Sequence, residues 1–188
     1  MTFIFSFLKK RRYLHRVSVI NSDLEIGKDF LAKMSMPVQW EASGLVSIGP
    51  DIYQRDQRMI PGAAKAWCSM VESAASDQVV LQAVSAFRSL DYQAGIIRRK
   101  LESGQCIQDI LCVSAAPGYS EHHTGRAIDV TTPGFAVLEE EFEQSEAFSW
   151  LTRYAVRFGF SLSFPRGNPF GVIYEPWHWA WKDPGKPG

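Results

Sequence analysis

The sequence predicts an α+β domain with a small, mainly antiparallel sheet. Three observations support this fold class: stretches with apolar residues at helical spacing, short stretches that are β-branched or alternate between apolar and polar residues, and turn-length links between them. An apolar content of 46% and six tryptophans favour a folded globule, and 188 residues suffice for one domain with a sizeable core.

We expect this domain to cover residues 41–183, after an N-terminal leader and irregular segment (1–40) and before a loose tail (184–188). The leader begins with a short apolar run, and basic residues follow it at 9–12. That order is the reverse of a secretory signal, and the run is too short to span a bilayer. We therefore expect no export signal and no stable membrane span, and we prefer a frayed leader to a short membrane-surface anchor.

The first predicted elements of the domain are a strand and a helix. Residues 45–48 have strand composition, and Gly49 and Pro50 predict a turn directly after them. Pro61 stands where a helix would start. The apolar stripe of that helix comprises Ala63, Trp67, Met70, Val71 and Ala74.

A buried strand and a second helix follow. Residues 79–87 are β-branched and apolar, so they predict a strand that ends just before Arg88. Ser89 can cap the next helix, which stops at Gly104. Its predicted apolar face comprises Tyr92, Ile96, Ile97 and Leu101. Its predicted solvated face comprises Arg98, Arg99 and Lys100.

The second half of the domain continues with short elements. Residues 127–130 have strand composition, and the glutamate-rich stretch 139–146 predicts a solvated helix entrance. An apolar helical face then runs over 147–158 and ends at Gly159. Apolar and polar residues alternate over 160–164, which predicts a half-buried strand.

Charge and cysteine content limit the function classes. Twenty basic residues balance twenty acidic ones, so we expect no nucleic-acid partner. The cysteines Cys68, Cys106 and Cys112 are odd in number and lack the spacing of a metal knuckle. One disulfide with a spare thiol is an alternative, but we prefer three reduced thiols in a cytoplasmic protein.

The stretch from Ser120 to Asp129 concentrates two imidazoles and a carboxylate in ten residues. Imidazole nitrogen and carboxylate oxygen suit zinc, which takes about four ligands and leaves one position to water in a catalytic site. A third protein ligand is then needed, and the candidates are few. Of the four histidines, His15 lies in the basic leader and His178 lies far downstream, three residues after Glu175. Two histidines, an aspartate and a free glutamate are the parts of a zinc hydrolase.

The surroundings of these residues favour the same interpretation. Apolar neighbours flank Asp129, and an unpaired buried carboxylate would be costly unless a cation accompanied it. Tryptophans alternate with His178 over 177–181, so a strand there turns His178 away from the tryptophan face. Pro176 disfavours a regular strand or helix, which predicts a bend that leaves Glu175 free to reach the metal.

Two motifs in the sequence resemble those of a known family. The pattern Ser-x-His-x-x-Gly-x-Ala-x-Asp at 120–129, followed by Glu-Pro-Trp-His at 175–178, resembles the VanY-type zinc D-alanyl-D-alanine carboxypeptidases and their LD-carboxypeptidase relatives. A third segment, residues 85–89 with Gln93, is similar to the family's Ser-x-Tyr-Arg-Ser…Gln segment, with Phe87 in place of tyrosine.

The resemblance covers about residues 79–181 and includes one departure. The family often continues Trp-His-x-Arg-Tyr, whereas this chain has Trp179-Ala180-Trp181. The role of that arginine is therefore missing or supplied elsewhere.

The resemblance implies a fold and a set of roles. The fold is a small antiparallel sheet with a zinc cleft on one side and helices on the other, as in Hedgehog and DD-peptidase domains. One Zn²⁺ per chain would be held by His122, Asp129 and His178. Glu175 would act on the zinc-bound water as general base and then as general acid. The substrate carboxylate would be received by Arg88 and Ser120, and Gln93 would orient Arg88 or the peptide.

Adjacent side chains diverge, so only one of the two neighbouring histidines is expected at the metal. The family pattern selects His122, and His123 then becomes a supporting or cleft-wall residue.

The implied activity is removal of the C-terminal D-alanine from peptidoglycan stem peptides or muropeptides by a monomer. An LD-carboxypeptidase or an endopeptidase of the same fold is the close alternative. A non-catalytic zinc module that binds cell wall is the alternative of another class, and the presence of Glu175 argues against it. The location stays open, because the cysteines and the lack of a signal indicate the cytoplasm whereas the family indicates the periplasm or cell envelope.

Overall fold

The structure is a computed structural model that describes residues 2–33, 35–183 and 185. The helices are α1 (Thr2–Asp23), α2 (Lys28–Lys33), α3 (Pro61–Ser76), α4 (Leu90–Glu102), α5 (Ile107–Val113) and α6 (Glu146–Tyr154). The strands are β1 (Val46–Pro50), β2 (Asp56–Met59), β3 (Gln82–Ser85), β4 (Ala127–Thr131), β5 (Phe160–Leu162) and β6 (His178–Trp181). Short 3₁₀ turns cover Glu121–Thr124, Glu140–Gln144 and Ala155–Phe158.

The strands form two antiparallel sheets. Strands β1 and β2 pair as a hairpin, and the larger sheet has the order β3-β4-β6-β5. Every neighbouring pair in the larger sheet is antiparallel, and β4 is buried along its whole length. The predicted α+β class with a small, antiparallel sheet is therefore confirmed.

Two apolar clusters form the core. The larger cluster joins α3 and α6 to the four-stranded sheet, and Trp67, Phe160 and Trp181 are among its members. The smaller cluster joins α1 to α4 and α5 through residues such as Val17 and Ile97.

Several local predictions are confirmed. Helix α3 begins at Pro61 and buries Trp67 and Met70. The Oγ atom of Ser89 accepts a hydrogen bond from the backbone N–H of Tyr92 at 3.1 Å, so Ser89 caps α4. The three cysteines are free and exposed, in agreement with three thiols.

Other local predictions are wrong in extent or direction. Strand β1 continues through Gly49 to Pro50, where a turn was expected, because the chain stays paired with β2 beyond a register shift. Strand β3 covers only Gln82–Ser85 of the expected 79–87. Helix α4 follows its predicted apolar face at Ile97 and Leu101, which belong to or pack against the smaller cluster. Tyr92 departs from it, because its side chain is 46% exposed while Gln93 is buried.

The first 40 residues differ most from expectation, because α1 replaces most of the expected irregular segment. The helix docks through Val17 and Ile20, and Asn21 donates a hydrogen bond from Nδ2 to the carbonyl of Pro117 at 2.8 Å. A Cβ atom at Gly118 would lie 2.6 Å from Cγ1 of Val17, so only glycine allows this close approach.

Some predictions concern residues that lie partly or wholly outside those that the structure describes. Within the irregular segment expected up to residue 40, Met34 lies outside the described residues, and residues 35–40 contain no helix or strand. The predicted tail lies outside them as well, apart from Gly185. Among the described helices, none has both the length and the apolar character needed to cross a membrane.

Candidate metal centre and active site

A cleft of about 890 Å³ runs along one side of the larger sheet. It contains six of the seven residues that the sequence singles out, namely Arg88, Ser120, His122, Asp129, Glu175 and His178. The seventh, Gln93, is buried and contacts Arg88 from behind the cleft wall.

His122 is held in place by the 3₁₀ turn that precedes β4. The turn ends at Gly125, whose φ of 62° is left-handed, and a Cβ atom there would lie 2.7 Å from Cδ2 of Leu45. Nδ1 of His122 donates to the carbonyl of Ala86 at 2.5 Å, which leaves Nε2 without a proton. Burial, with a smaller contribution from the charge of Arg88, lowers the pKa of His122 to about 4. The ring is therefore neutral, with its Nε2 lone pair directed into the cleft.

Asp129 and His178 lie opposite each other on two neighbouring strands. They are register partners in β4 and β6, and Nδ1 of His178 lies 3.0 Å from Oδ1 of Asp129. Nε2 of His178 lies 2.9 Å from Oε2 of Glu121. Burial alone would lower the pKa of His178, but the hydrogen bonds with Asp129 and Glu121 raise it to about 10. A divalent cation at Nδ1 would take the place of the proton held there.

The three side chains fit a metal ion. Each offers one ligand atom, and these atoms lie within 4.8 Å of one another. Nε2 of His122 is buried, has no hydrogen-bond partner, and lies 3.2 Å from Oδ2 of Asp129. Two acceptor atoms at that distance repel each other unless a proton or a metal cation lies between them. Two nitrogens and one oxygen match the ligands of a catalytic zinc site, which keeps a further position open.

Glu175 lies in the turn before β6. Its N–H donates to the carbonyl of Phe164 at 3.1 Å, and its carbonyl accepts from the N–H of His178 at 3.1 Å. The predicted bend at Pro176 is therefore confirmed. Oε2 of Glu175 lies 3.8 Å from Nδ1 of His178. Burial raises the pKa of Glu175 to about 7, which suits a group that both accepts and returns a proton.

Arg88 follows the end of β3 and lines the cleft. Its NH2 group donates to Oδ2 of Asp129 at 2.8 Å, and its NH1 group donates to Oε1 of Gln93 at 3.3 Å. Gln93 in turn donates from Nε2 to the carbonyl of Ala115 at 2.8 Å. These contacts fix the direction of the guanidinium, while Ser120 lines the cleft nearby.

His123 takes a structural position. Nδ1 donates to the carbonyl of Arg88 at 2.6 Å, and Nε2 accepts from the N–H of Gly118 at 3.0 Å. Both ring nitrogens are thereby engaged, and His123 is not one of the three grouped ligands. Divergence of the two adjacent histidines is confirmed by this geometry.

Two cleft residues were missed in the sequence. Glu121 was overlooked although it precedes His122 within the motif, and its contact with His178 depends on a pairing far along the chain. Lys100 was assigned to the solvated face of α4, which is wrong, because it lines the cleft whereas Arg98 and Arg99 are exposed. Its seven-residue separation from Gln93 places both on one helix face and could have indicated this.

The chain is similar to several known proteins. YodJ of Bacillus subtilis, a predicted carboxypeptidase, is 31% identical over 77% of this chain and 55% of its own length. A D-alanyl-D-alanine carboxypeptidase of Enterococcus faecalis is 28% identical over 60% of this chain and 44% of its own length. The chain thus spans about half the length of these curated relatives.

Among solved structures, the LdcB LD-carboxypeptidase superposes with a TM-score of 0.67 at 29% identity, over 77% of this chain and 71% of that chain. The sequence model of the VanY family, described as D-alanyl-D-alanine carboxypeptidase, matches residues 56–184, which is more than half of the chain. The chain therefore belongs to the VanY family of D-alanyl-D-alanine carboxypeptidases.

Proposed function

We propose that this chain is a zinc-dependent carboxypeptidase that removes the C-terminal D-alanine from peptidoglycan stem peptides. One observation carries the proposal. The buried group of His122, Asp129 and His178 contains an unpartnered ring nitrogen facing a carboxylate, and Glu175 lies beside it in the same cleft. His122 would bind through Nε2 and His178 through Nδ1, with Asp129 between them.

The chain's own residues would handle the protons of the reaction. When bound, zinc supplies Lewis-acid polarisation of the scissile carbonyl and lowers the pKa of a water to about 7. Glu175 takes a proton from the attacking water and returns it to the departing amine, so that one carboxyl serves both steps.

Arg88 and Ser120 would receive the terminal carboxylate of the substrate. A guanidinium can bind a carboxylate with two parallel hydrogen bonds, and Gln93 holds this one from behind. Nε of Arg88 is buried and has no hydrogen-bond partner among the described residues. A monomeric state stays a prediction.

The relatives bear on which bond is cleaved. The Enterococcus faecalis relative is a D-alanyl-D-alanine carboxypeptidase, which favours removal of a D-alanine that follows another D-alanine. Similarity to the LdcB LD-carboxypeptidase favours the second candidate, in which the bond follows an L-residue. Glu175 supports either hydrolase over a module that only binds cell wall.

Product analysis of defined stem peptides tests the proposal. The zinc-loaded chain is incubated with a pentapeptide ending in D-alanyl-D-alanine and with the tetrapeptide that lacks the last residue, and products are identified by mass spectrometry. We expect release of one D-alanine from the pentapeptide, loss of activity with a chelator, and recovery with zinc. Cleavage of the tetrapeptide alone would assign the LD activity, and cleavage of neither peptide would overturn the proposal.

A further inference from the structure

Helix α4 contributes a second cation to the cleft. Gln93, Ile96 and Lys100 follow one side of this helix, and Ile96 and Lys100 line the cleft directly. At 1.5 Å per residue, Lys100 lies about 10 Å along the helix axis from Gln93. The α5 residues Leu111 and Cys112 line the same cleft. The lysine therefore adds a charge to a cleft that already contains Arg88.

The charge of Lys100 has no carboxylate partner within the described ranges. Its Nζ donates to Oγ of Ser114 at 2.9 Å, and none of the ion pairs found in residues 2–33, 35–183 and 185 includes it. Partial burial, and then the positive charge of Arg88, lower the pKa of Lys100. Two cations that influence each other in a cleft are stabilised when an anion lies between them.

The charge of Arg88 is already engaged. Its NH2 group binds Asp129, and that carboxylate belongs to the group proposed to hold the metal. A substrate carboxylate at Arg88 would therefore share the guanidinium with Asp129. An ammonium group in the same cleft that has no carboxylate partner among the described residues would supply the missing positive charge.

We propose that Lys100 is a substrate-binding residue that contacts the C-terminal carboxylate of the departing amino acid together with Arg88 and Ser120. This inference rests on the proposed function and deepens it. Arg88 supplies the planar fork that sets the orientation of the carboxylate, and Lys100 supplies a point charge at its outer oxygen. The hydroxyl oxygen of Ser114 accepts a hydrogen bond from the ammonium group and thereby orients it.

The test compares two peptides and two matched variants. A stem pentapeptide with a free C-terminus and its C-terminal amide are titrated by calorimetry into the zinc-loaded Glu175→Gln chain, which removes turnover from the measurement. Lys100→Met is then introduced into that chain, with Arg99→Met as control, because Arg99 has the same charge on the exposed side of α4. Lys100→Arg preserves the charge, and thermal melts confirm that each variant folds.

We expect Lys100→Met to weaken binding of the free acid about tenfold and to leave binding of the amide unchanged. Arg99→Met should change neither, and Lys100→Arg should retain most of the preference for the acid. An unchanged acid-to-amide ratio in Lys100→Met, an equal loss in Arg99→Met, or no binding of either peptide would overturn the inference. A lowered ratio in Lys100→Met, found together with a zinc-loaded unaltered chain that never hydrolyses the pentapeptide, would preserve the Lys100 contact and reject the proposed reaction.

Discussion

Oε2 of Glu121 lies 2.9 Å from Nε2 of His178, so a residue next to one proposed ligand contacts the ring of another. If Nε2 carries the proton, Nδ1 presents its lone pair toward Asp129 and the proposed metal position. Carboxylates in this position fix the tautomer and orientation of a ligating histidine and increase its basicity. Glu121 thereby couples the turn that carries His122 to the strand that carries His178.

Replacing Glu121 should weaken zinc binding more than it changes the fold. We expect Glu121→Ala to raise the zinc dissociation constant about 10–100-fold, because the ring of His178 loses the acceptor that orients it. Glu121→Gln keeps an acceptor oxygen and should restore most of the affinity. Competition with a chromogenic chelator measures both, and Glu140→Ala, at a residue that also lines the cleft, is the control. An unchanged dissociation constant in Glu121→Ala would contradict this role.

The two adjacent histidines should have opposite effects on metal content. His122→Ala removes the unpartnered Nε2, so we expect elemental analysis to find the zinc lost. His123→Ala should retain about one zinc per chain. It should cost about 1–3 kcal/mol in the free energy of unfolding, because Gly118 N–H and the Arg88 carbonyl lose their partner. Zinc retained in His122→Ala and lost in His123→Ala would reverse the assignment.

Arg88→Lys should affect substrates that have a free terminus. The substitution keeps the charge but loses the planar fork and the contact with Gln93. Losing a charge-assisted hydrogen bond typically costs about 1.5–3 kcal/mol, so we expect at least a tenfold rise in KM for the free acid. Steady-state kinetics on free-acid and amidated peptides measure this change in KM. Equal cleavage of the two peptides by the unaltered chain would remove the carboxylate contact from the mechanism.

Glu175→Gln separates hydrolysis from binding. The variant keeps the side-chain shape and should retain zinc, because the three proposed ligands are unchanged. We expect turnover to fall at least about a hundredfold with little change in peptide affinity, since general acid–base groups contribute about 10²–10⁴-fold. Single-turnover assays with calorimetry measure both quantities. Near-normal hydrolysis by Glu175→Gln would rule out this proton shuttle.

Asp51 should make stability depend on pH through the β1–β2 turn. Its buried carboxylate accepts hydrogen bonds from Arg55 and Gln57 side chains and from two backbone N–H groups. Burial opposes ionisation, but the hydrogen bonds from Arg55 and Tyr53 lower the pKa of Asp51 overall.

Because the folded pKa lies below the unfolded value of about 3.9, the ionised carboxylate stabilises the fold above that value. That stabilisation is lost as pH falls through the folded pKa. We expect Asp51→Asn to cost about 1–3 kcal/mol at pH 7, and the difference from the unaltered chain to shrink below about pH 4. Urea unfolding at several pH values measures the difference in the free energy of unfolding between the two chains. A difference that is constant with pH would contradict the prediction.

The grouping of His122, Asp129 and His178 could be predicted because these residues occur in short motifs that resemble those of a known family. Asp129 falls within a β-branched strand, and Pro176 breaks the chain before His178. Glu121 and Lys100 could not be assigned in this way. The contact of Glu121 requires β4 to pair with β6, and the orientation of Lys100 depends on which side of α4 packs against α1.

Helix α1 was missed for a related reason. Its apolar residues follow no strong helical period, and the helix is stabilised by docking through Val17 and Ile20 onto α4 and α5. Such packing between distant segments overrides a weak local signal.

The close approach of Val17 to Gly118 bears on which part of the chain folds as one unit. The family match starts at residue 56, yet α1 contacts the loop that donates from Gly118 to His123, and His123 binds the backbone of Arg88. A shortened chain starting at the family boundary would expose that loop and the apolar side of α4 to water. We therefore expect the folded unit to extend upstream of the family match and to include α1, so a shortened chain that is meant to fold should keep this helix.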